Sequence, residues 1–202
     1  MAYVKNRKLQ MKLTREGDSH MLNPALSSCL EDKDAQRGGA HFFIRSIRTD
    51  DEAALRHMLR HASEDDMHLR CFRIMKDFSE VMAKRFVTWH TGMEAALVAL
   101  RTAVPNEIYG VAHFICSAQN RNSAEFDILV RSDFQSHHLS YALIREMLQR
   151  ARRSGVSFLE SYIPCDHAIV LQVVDELGFK TRDAAYGVVH VAAPLKQLMA
   201  AS

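Results

Sequence analysis

The stretch that decides the fold runs from residue 124 to residue 155 and reads AEFDILVRSDFQSHHLSYALIREMLQRARRSG. Its first seven residues alternate, with Glu125 and Asp127 on one face, and this predicts a half-buried strand. The segment from Ser136 to Ser154 has apolar residues at helical spacing, and Gly155 follows where a helix-ending glycine belongs. The predicted buried stripe of this helix is Leu139, Leu143, Ile144, Met147, Leu148 and Ala151. The stretch therefore predicts a strand, a short polar turn and a long helix.

The segments on either side of this stretch add strands and helices. Further strands are predicted at residues 42–48, 95–103, 108–117, 156–163 and 186–193. Further helices are predicted after residue 52, at 77–90 and at 168–177. The first of these helices follows Thr49-Asp50-Asp51-Glu52, in which we expect Thr49 and Glu52 to form a capping box. The order predicts an α/β (α+β) fold with a central mixed, mostly antiparallel sheet flanked by helices.

Composition divides the chain into two parts. Residues 1–40 hold seven basic and five acidic side chains and few apolar ones, and we interpret them as a basic N-terminal arm. Residues 41–202 hold nineteen side chains of each sign and the dense apolar pattern, so we expect one domain there. A basic arm can contact nucleic acid or a membrane, but a solvated tail is the more common case. The net charge of +2 argues against a general nucleic-acid-binding protein.

Several classes of protein are disfavoured by what the sequence lacks. The four cysteines, Cys29, Cys71, Cys116 and Cys165, are far apart and form no CxxC pair, which argues against a zinc ribbon or a redox motif. No apolar run resembles a signal peptide or a membrane-spanning helix. We therefore expect a cytoplasmic protein with reduced thiols and no membrane partner.

The element order and three local motifs resemble the GNAT superfamily of acyl-CoA-dependent N-acetyltransferases, over about residues 41–195. The motifs are the strand 124–130, the segment 131–135 that leads into the long helix, and Glu176-Leu177-Gly178-Phe179 after the short helix. The nearest resemblance is to the acetyltransferase domain of bacterial protein lysine acetyltransferases, whose opening motif corresponds to residues 44–52. The resemblance implies acetyl-CoA as acyl donor and an amine, either a protein lysine or a small amine, as acceptor.

The resemblance also implies a layout for the site. The strand ending at Arg131 splays from its neighbour so that main-chain groups bind the pantetheine arm, and the start of the next helix binds the pyrophosphate. The implied acetyl-CoA-binding residues are Leu129, Val130, Arg131, Gln135, Ser136, His137, His138, Leu139, Ser140, Tyr141 and His167. Glu125 aligns with the catalytic base, although strand alternation alone also fits a carboxylate that faces solvent. Tyr186 is the preferred general acid, with Tyr162 and Tyr141 as alternatives.

The predicted phosphate loop departs from the family pattern. His138 and Ser140 occupy positions where the family has small residues that let the backbone approach phosphate. The pair His137-His138 fits an altered but working loop, a lost loop in a binding protein, or a metal pair; the metal reading is the weakest, because no third ligand lies nearby.

Two functions therefore compete. We favour the N-acetyltransferase, and the alternative is a catalytically degenerate GNAT domain that acts as a binding or regulatory protein. The apolar stripe Met82, Phe86 and Trp89 fits either a core or a homodimer face.

Overall fold

An eight-stranded sheet forms the centre of the protein. The computed structural model describes residues 28–30, 42–61, 94–134, 137–185 and 187–198. The strands are β1 (Ser28–Leu30), β2 (Phe42–Ser46), β3 (Glu94–Arg101), β4 (Val104–Cys116), β5 (Ser123–Val130), β6 (Phe158–Pro164), β7 (Lys180–Ala185) and β8 (Val188–Pro194). They lie in the order β1-β2-β3-β4-β5-β6-β8-β7. Within this sheet β5 and β6 run parallel and the other neighbours antiparallel, so the predicted mixed, mostly antiparallel sheet is confirmed.

Helices flank the sheet and bury the predicted apolar stripe. In the described ranges they are α1 (Glu52–His61), α2 (His137–Arg153), α3 (Ala168–Glu176) and α4 (Leu195–Leu198). Helix α2 packs against β3, β4, β5 and α3, and the six residues of its predicted stripe are all buried. The chain leaves α2 at Gly155 with a φ of 81°, and the amide of Val156 donates to the carbonyl oxygen of Ala151 at 3.0 Å. The predicted glycine cap is therefore confirmed.

The close contact between α2 and β4 depends on a glycine. A Cβ atom at Gly110 would lie 2.7 Å from Cδ1 of Leu143 and 3.4 Å from the carbonyl oxygen of Leu129. Leu143 is fully buried, so its side chain has little room to move away. Gly110 thus sets how closely the helix approaches the strand beside β5.

The start of α1 differs from its prediction. A short 3-10 helix at Thr49–Asp51 precedes α1, and its N-cap residue is Arg48. The amide of Arg48 donates to Oδ2 of Asp51 at 2.7 Å, and the guanidinium of Arg45 donates to both carboxylate oxygens of Asp51 at 2.5 and 2.7 Å. The predicted capping box of Thr49 and Glu52 is therefore wrong. Asp51 supplies the cap because its short carboxylate is buried and also paired with Arg45.

Three elements were not expected from the sequence. They are β1, β7 and α4. Strand β7 reads KTRDAA, lies at the edge of the sheet and pairs with β8 through an irregular register between Arg182 and Ala184. An edge strand faces solvent and does not need an alternating apolar pattern, so periodicity does not detect it. Strand β1 falls within the predicted arm and pairs with β2, whereas the predicted helix at 77–90 lies outside the described residues.

Candidate functional site

Strands β5 and β6 pair at one end and separate at the other. Their parallel register runs from Ser123 opposite Phe158 to Glu125 opposite Glu160. Strand β5 continues to Val130 and β6 to Pro164, and no further pairs between these two strands are formed in the described sheet. The edge of β5 beyond Glu125 therefore faces an opening rather than a neighbouring strand, as the resemblance implies.

A cleft occupies this opening. Its volume is about 370 Å³, and its walls are residues 128–130 of β5, Ser140 of α2 and residues 166–170 at the start of α3. Of the predicted acetyl-CoA-binding residues, Leu129, Val130, Ser140 and His167 line it. Ser140 and Leu129 are buried, and His167 is the N-cap residue of α3, where its side chain makes no capping hydrogen bond. The cleft thus has strand backbone on one side and two helix beginnings on the others.

The first turn of α2 carries the two histidines of the altered loop. Nε2 of His137 lies 2.7 Å from Oε2 of Glu176, and its ring stacks on that of Tyr141 with centroids 6.1 Å apart. The amide nitrogen of Gln172 donates to the other oxygen of Glu176 at 2.9 Å. These two hydrogen bonds, that from Gln172 first, lower the pKa of Glu176 below its ordinary value. His138 is exposed, and its ring meets that of His137 edge-on at 5.6 Å.

The predicted base lies where the strands begin to separate. Glu125 is exposed, and its registered neighbours are Ile115 on β4 and Glu160 on β6. Alternation puts Asp127 on the same face, opposite His113 of β4. The other face of β5 carries Phe126, whose ring lies 5.3 Å from that of Phe179 in the core. The carboxylates are thus on the sheet face that does not pack against Phe179.

The sequence reasoning missed Glu160 and His190, which lie on this carboxylate face beside the predicted Tyr162. Nε2 of His190 on β8 lies 3.1 Å from Oε2 of Glu160. The ring of Tyr162, which is 50% exposed, lies 4.8 Å from that of His190 at an angle of 31°. Alternation within β6 could have placed Glu160 beside Tyr162. His190 could not have been found this way, because its position depends on the pairing of β6 with β8.

His113 is a buried histidine, and it faces the same side as Asp127. It is 2% exposed, and burial lowers its pKa from 6.5 to about 4. The imidazole is therefore neutral at physiological pH. It adds no positive charge beside the carboxylates.

The side chain of Arg131 turns toward β4. Its guanidinium forms ion pairs with Glu107 and with Asp133, and the latter pair has N–O distances of 2.9 and 2.6 Å. Its main-chain amide donates to the carbonyl oxygen of Tyr109 at 3.0 Å. A direct contact of Arg131 with the acyl donor stays a prediction.

Other predicted features are not covered by the described ranges. The residues Gln135, Ser136 and Tyr186 lie outside them. So does the apolar stripe predicted as either core or a homodimer face, which consists of Met82, Phe86 and Trp89.

Within the described ranges no group of three or more His, Cys, Asp or Glu side chains is arranged to hold a metal ion. No helix of those ranges has the length and apolar character needed to cross a bilayer.

Comparison with solved structures identifies the architecture. The chain is similar to the GNAT domain of S. lividans PAT, with a TM-score of 0.69 and 20% sequence identity over 86% of this chain and 99% of that domain. The chain has the GNAT fold. It is also similar to yncA from Salmonella typhimurium, solved with its cofactor acetyl-CoA, at a TM-score of 0.54 and 18% identity over 76% of this chain and 94% of that one. The paia N-acetyltransferase from Thermoplasma acidophilum, in complex with coenzyme A, matches with a TM-score of 0.59 and 14% identity over 76% and 98%.

A family model gives a different result for the N-terminal half. The model of the CUL7/CUL9 ARM repeat domain matches residues 1–116, which is more than half of the chain, and by sequence assigns the chain to that family. Armadillo repeats stack pairs of helices into a superhelix. The described part of the matched range instead holds one α-helix, α1, and strands β1 to β4 of the GNAT sheet. The sequence match to an armadillo-repeat family therefore disagrees with the observed structure, which has the GNAT fold.

Proposed function

We propose that this chain is an acetyl-CoA-dependent N-acetyltransferase that acetylates an amine, either a protein lysine or a small amine. The observation that carries the proposal is the cleft between β5 and β6, with Glu125 at the point where the two strands separate. An acyl donor and a proton acceptor would meet there.

The walls of the cleft fit the donor. The main chain of residues 128–130 forms one wall, and it would bind the amides of a pantetheine arm in place of a neighbouring strand. The first turn of α2, with buried Ser140 facing the cleft, would bind the pyrophosphate through the partial positive charge of the helix N-terminus. His137 and His138 would stand at the rim of this phosphate site, and either ring can add a positive charge when protonated.

The reaction needs a proton acceptor and a proton donor. The amine substrate enters as an ammonium and loses one proton to Glu125, directly or through a water molecule. Its nitrogen then attacks the thioester carbonyl, the N–C bond forms and the C–S bond breaks. The thiolate of CoA takes a proton, and the amide nitrogen gives up its second one. Of the two candidates that the structure describes, Tyr162 fits the role of proton donor better than Tyr141, because Tyr162 is exposed on the same sheet face as Glu125. Tyr186 stays a prediction.

One observation favours the degenerate GNAT domain. Glu176 places a carboxylate against His137 at the first residue of α2. A side chain of the protein itself thus engages a group that a bound phosphate would use. In that case the cleft would hold a ligand without pyrophosphate, and the protein would act by binding.

Titration with acetyl-CoA by calorimetry separates the two functions. Binding by the wild-type protein, followed by CoA release in the presence of a lysine-containing peptide or a small primary amine, would support the transferase. We expect Glu125→Gln to lower kcat by about 10²–10⁴-fold, the usual contribution of a general base, and to leave the affinity for acetyl-CoA unchanged. The matched control is Glu146→Gln on α2, which removes a carboxylate from a helix remote from the face of Glu125.

The opposite results are equally informative. Failure of both the wild-type protein and His138→Gly to bind acetyl-CoA, with the circular dichroism spectrum of a folded protein, would overturn the transferase and favour the binding protein. Binding and turnover that survive in Glu125→Gln would instead remove Glu125 from the role of base and leave the transferase standing.

A further inference from the structure

The turn between β5 and α2 is held by one arginine. The turn is a short 3-10 helix at Ser132–Phe134, and Arg131 immediately precedes it. The guanidinium of Arg131 donates to both carboxylate oxygens of Asp133 within the turn and also pairs with Glu107 on β4. The hydroxyl of Tyr109 donates to the other oxygen of Glu107 at 2.7 Å. Arg131 thus holds the turn by planar two-point hydrogen bonding to Asp133, which lysine cannot reproduce, and ties it to the neighbouring strand by the pair with Glu107.

Aromatic rings complete this attachment. The rings of Tyr109 and Phe134 meet edge-on with centroids 4.6 Å apart, and Phe42 of β2 lies within 6.1 Å of both. The guanidinium carbon of Arg131 lies 4.8 Å from the centre of the Tyr109 ring and 5.5 Å from that of Phe134. Arg101 lies 5.8 and 5.5 Å from the centres of the same two rings. Phe134, the last residue of the turn, is therefore fixed from several sides.

The electrostatics of the cluster agree with its geometry. Hydrogen bonds from Tyr109 first and Arg131 second lower the pKa of Glu107. The hydrogen bonds and charges of Asp133 and Glu107 raise the pKa of Arg131. The guanidinium therefore keeps its charge, and its strong donors point at carboxylates of the protein itself rather than at the cleft between β5 and α3.

We propose that Arg131 is a positioning residue for the acyl donor, which acts by fixing the 132–134 turn and thereby the place where the first turn of α2 meets the pyrophosphate. The chain from the turn to His137 is two residues long, so a shift of Phe134 moves the start of α2 or forces those residues to compensate. Arg131 itself does not touch the donor in this role. The inference rests on the proposed function, since it concerns how that site binds acetyl-CoA.

Two donors that differ only in the nucleotide part test the proposal. S-acetylpantetheine carries the thioester and the pantetheine amides but lacks the pyrophosphate and the adenosine. We expect Arg131→Met to raise the Kd of acetyl-CoA about tenfold, from the loss of a charged hydrogen-bonding anchor, and to leave binding of S-acetylpantetheine within about twofold. The first Kd is measured by calorimetry and the second by ligand-detected NMR titration. In turnover, the KM for acetyl-CoA should rise with kcat nearly unchanged.

Milder and matched variants guard against loss of folding. Asp133→Asn keeps Arg131 and weakens one anchor, so it should give a smaller change of the same kind, and Arg131→Lys should recover only part of the affinity because it lacks the two-point geometry. Arg153→Met removes an exposed arginine at the far end of α2 and should change neither Kd.

Each outcome decides a different point. Equal loss of affinity for both donors in Arg131→Met and Asp133→Asn would make the cluster merely structural, and unchanged affinity for both donors would also overturn the positioning role. Wild-type protein that fails to bind acetyl-CoA would overturn the proposed function, and this inference with it. Wild-type binding combined with unaffected variants would overturn this inference alone.

Discussion

Acid should destabilise this protein through a histidine inside the sheet. His113 of β4 is almost inaccessible to solvent, and burial lowers its pKa from 6.5 to about 4. Its registered neighbours are Ala96 on β3 and Asp127 on β5. The folded protein therefore holds a neutral ring at pH values where the unfolded chain binds a proton at this residue.

The size of the effect follows from the two pKa values. Between them the unfolded state carries one more proton than the folded state, so the free energy of unfolding rises with pH in this window and falls as the pH drops from 6.5 toward 4. One pKa unit corresponds to about 1.4 kcal/mol. The difference between 6.5 and about 4 thus predicts a loss of about 3 kcal/mol, most of it by about pH 4.5.

Urea unfolding at a series of pH values measures this loss. The wild-type protein is compared with His113→Leu, which removes the titrating ring, and with Val111→Ala, which shortens a buried side chain on the same face of the same strand. Carboxylates and other histidines also titrate, but they contribute equally to all three proteins. The stability of His113→Leu should therefore fall less steeply with acid, whereas Val111→Ala should run parallel to the wild type.

One result would refute the reasoning. If the difference in unfolding free energy between the wild type and His113→Leu stayed constant from about pH 7 to about pH 4.5, the buried ring would not resist protonation, and desolvation would not control it.

Two further substitutions test the packing that supports the site. Gly110→Ala should cost about 1–3 kcal/mol in a urea titration, because the added methyl group meets the buried Leu143, and Leu143→Val in the same chain should recover part of the loss. Little or no loss would mean that α2 moves away easily. Asp51→Asn should cost about 3–5 kcal/mol by thermal or urea unfolding, because it leaves Arg45 without its buried partner and weakens the cap at Arg48. A loss below about 1 kcal/mol would show that Arg45 is adequately solvated without Asp51.

Elements with a strong apolar period were predictable from the sequence. The stripe of α2 and its glycine cap at Gly155 were found because burial on one face of a long helix requires that spacing. Strand β7 was not found, because a polar strand at the edge of a sheet obeys no such requirement. The cap of α1 was assigned to Thr49 although Asp51 provides it, since the choice depends on Arg45, which the local pattern does not include.

The candidate site was predictable only where it is local in sequence. Of the predicted residues, Leu129, Val130, Ser140 and His167 line one cleft. A motif along one strand and the following helix indicated the first three, and the start of the short helix α3 indicated His167. The contact of His190 with Glu160 depends on strand pairing, and the contact of His137 with Glu176 joins two helices. Such contacts are set by tertiary packing, so no spacing in the sequence encodes them.

The short parallel pair has a mechanical consequence. Strands β1 to β5 form one antiparallel block of the sheet, and strands β6, β8 and β7, in that order, form another. Within the sheet three residue pairs, from Ser123–Phe158 to Glu125–Glu160, join the two blocks. Two hydrogen bonds from the amides of Ser157 and Phe158 to the carbonyl oxygen of Asn122 extend this seam. Beyond this seam the described parts of β5 and β6 are not paired, so a rotation of one block relative to the other about Asn122 would change the width of the cleft. A small rotation at Asn122 becomes a larger change in width at the mouth, in proportion to distance along the strands. We therefore expect the backbone hydrogen bonds at Asn122 to influence the width of the cleft at the other end of β5, and amide hydrogen exchange at Ser157 and Phe158 would report their opening.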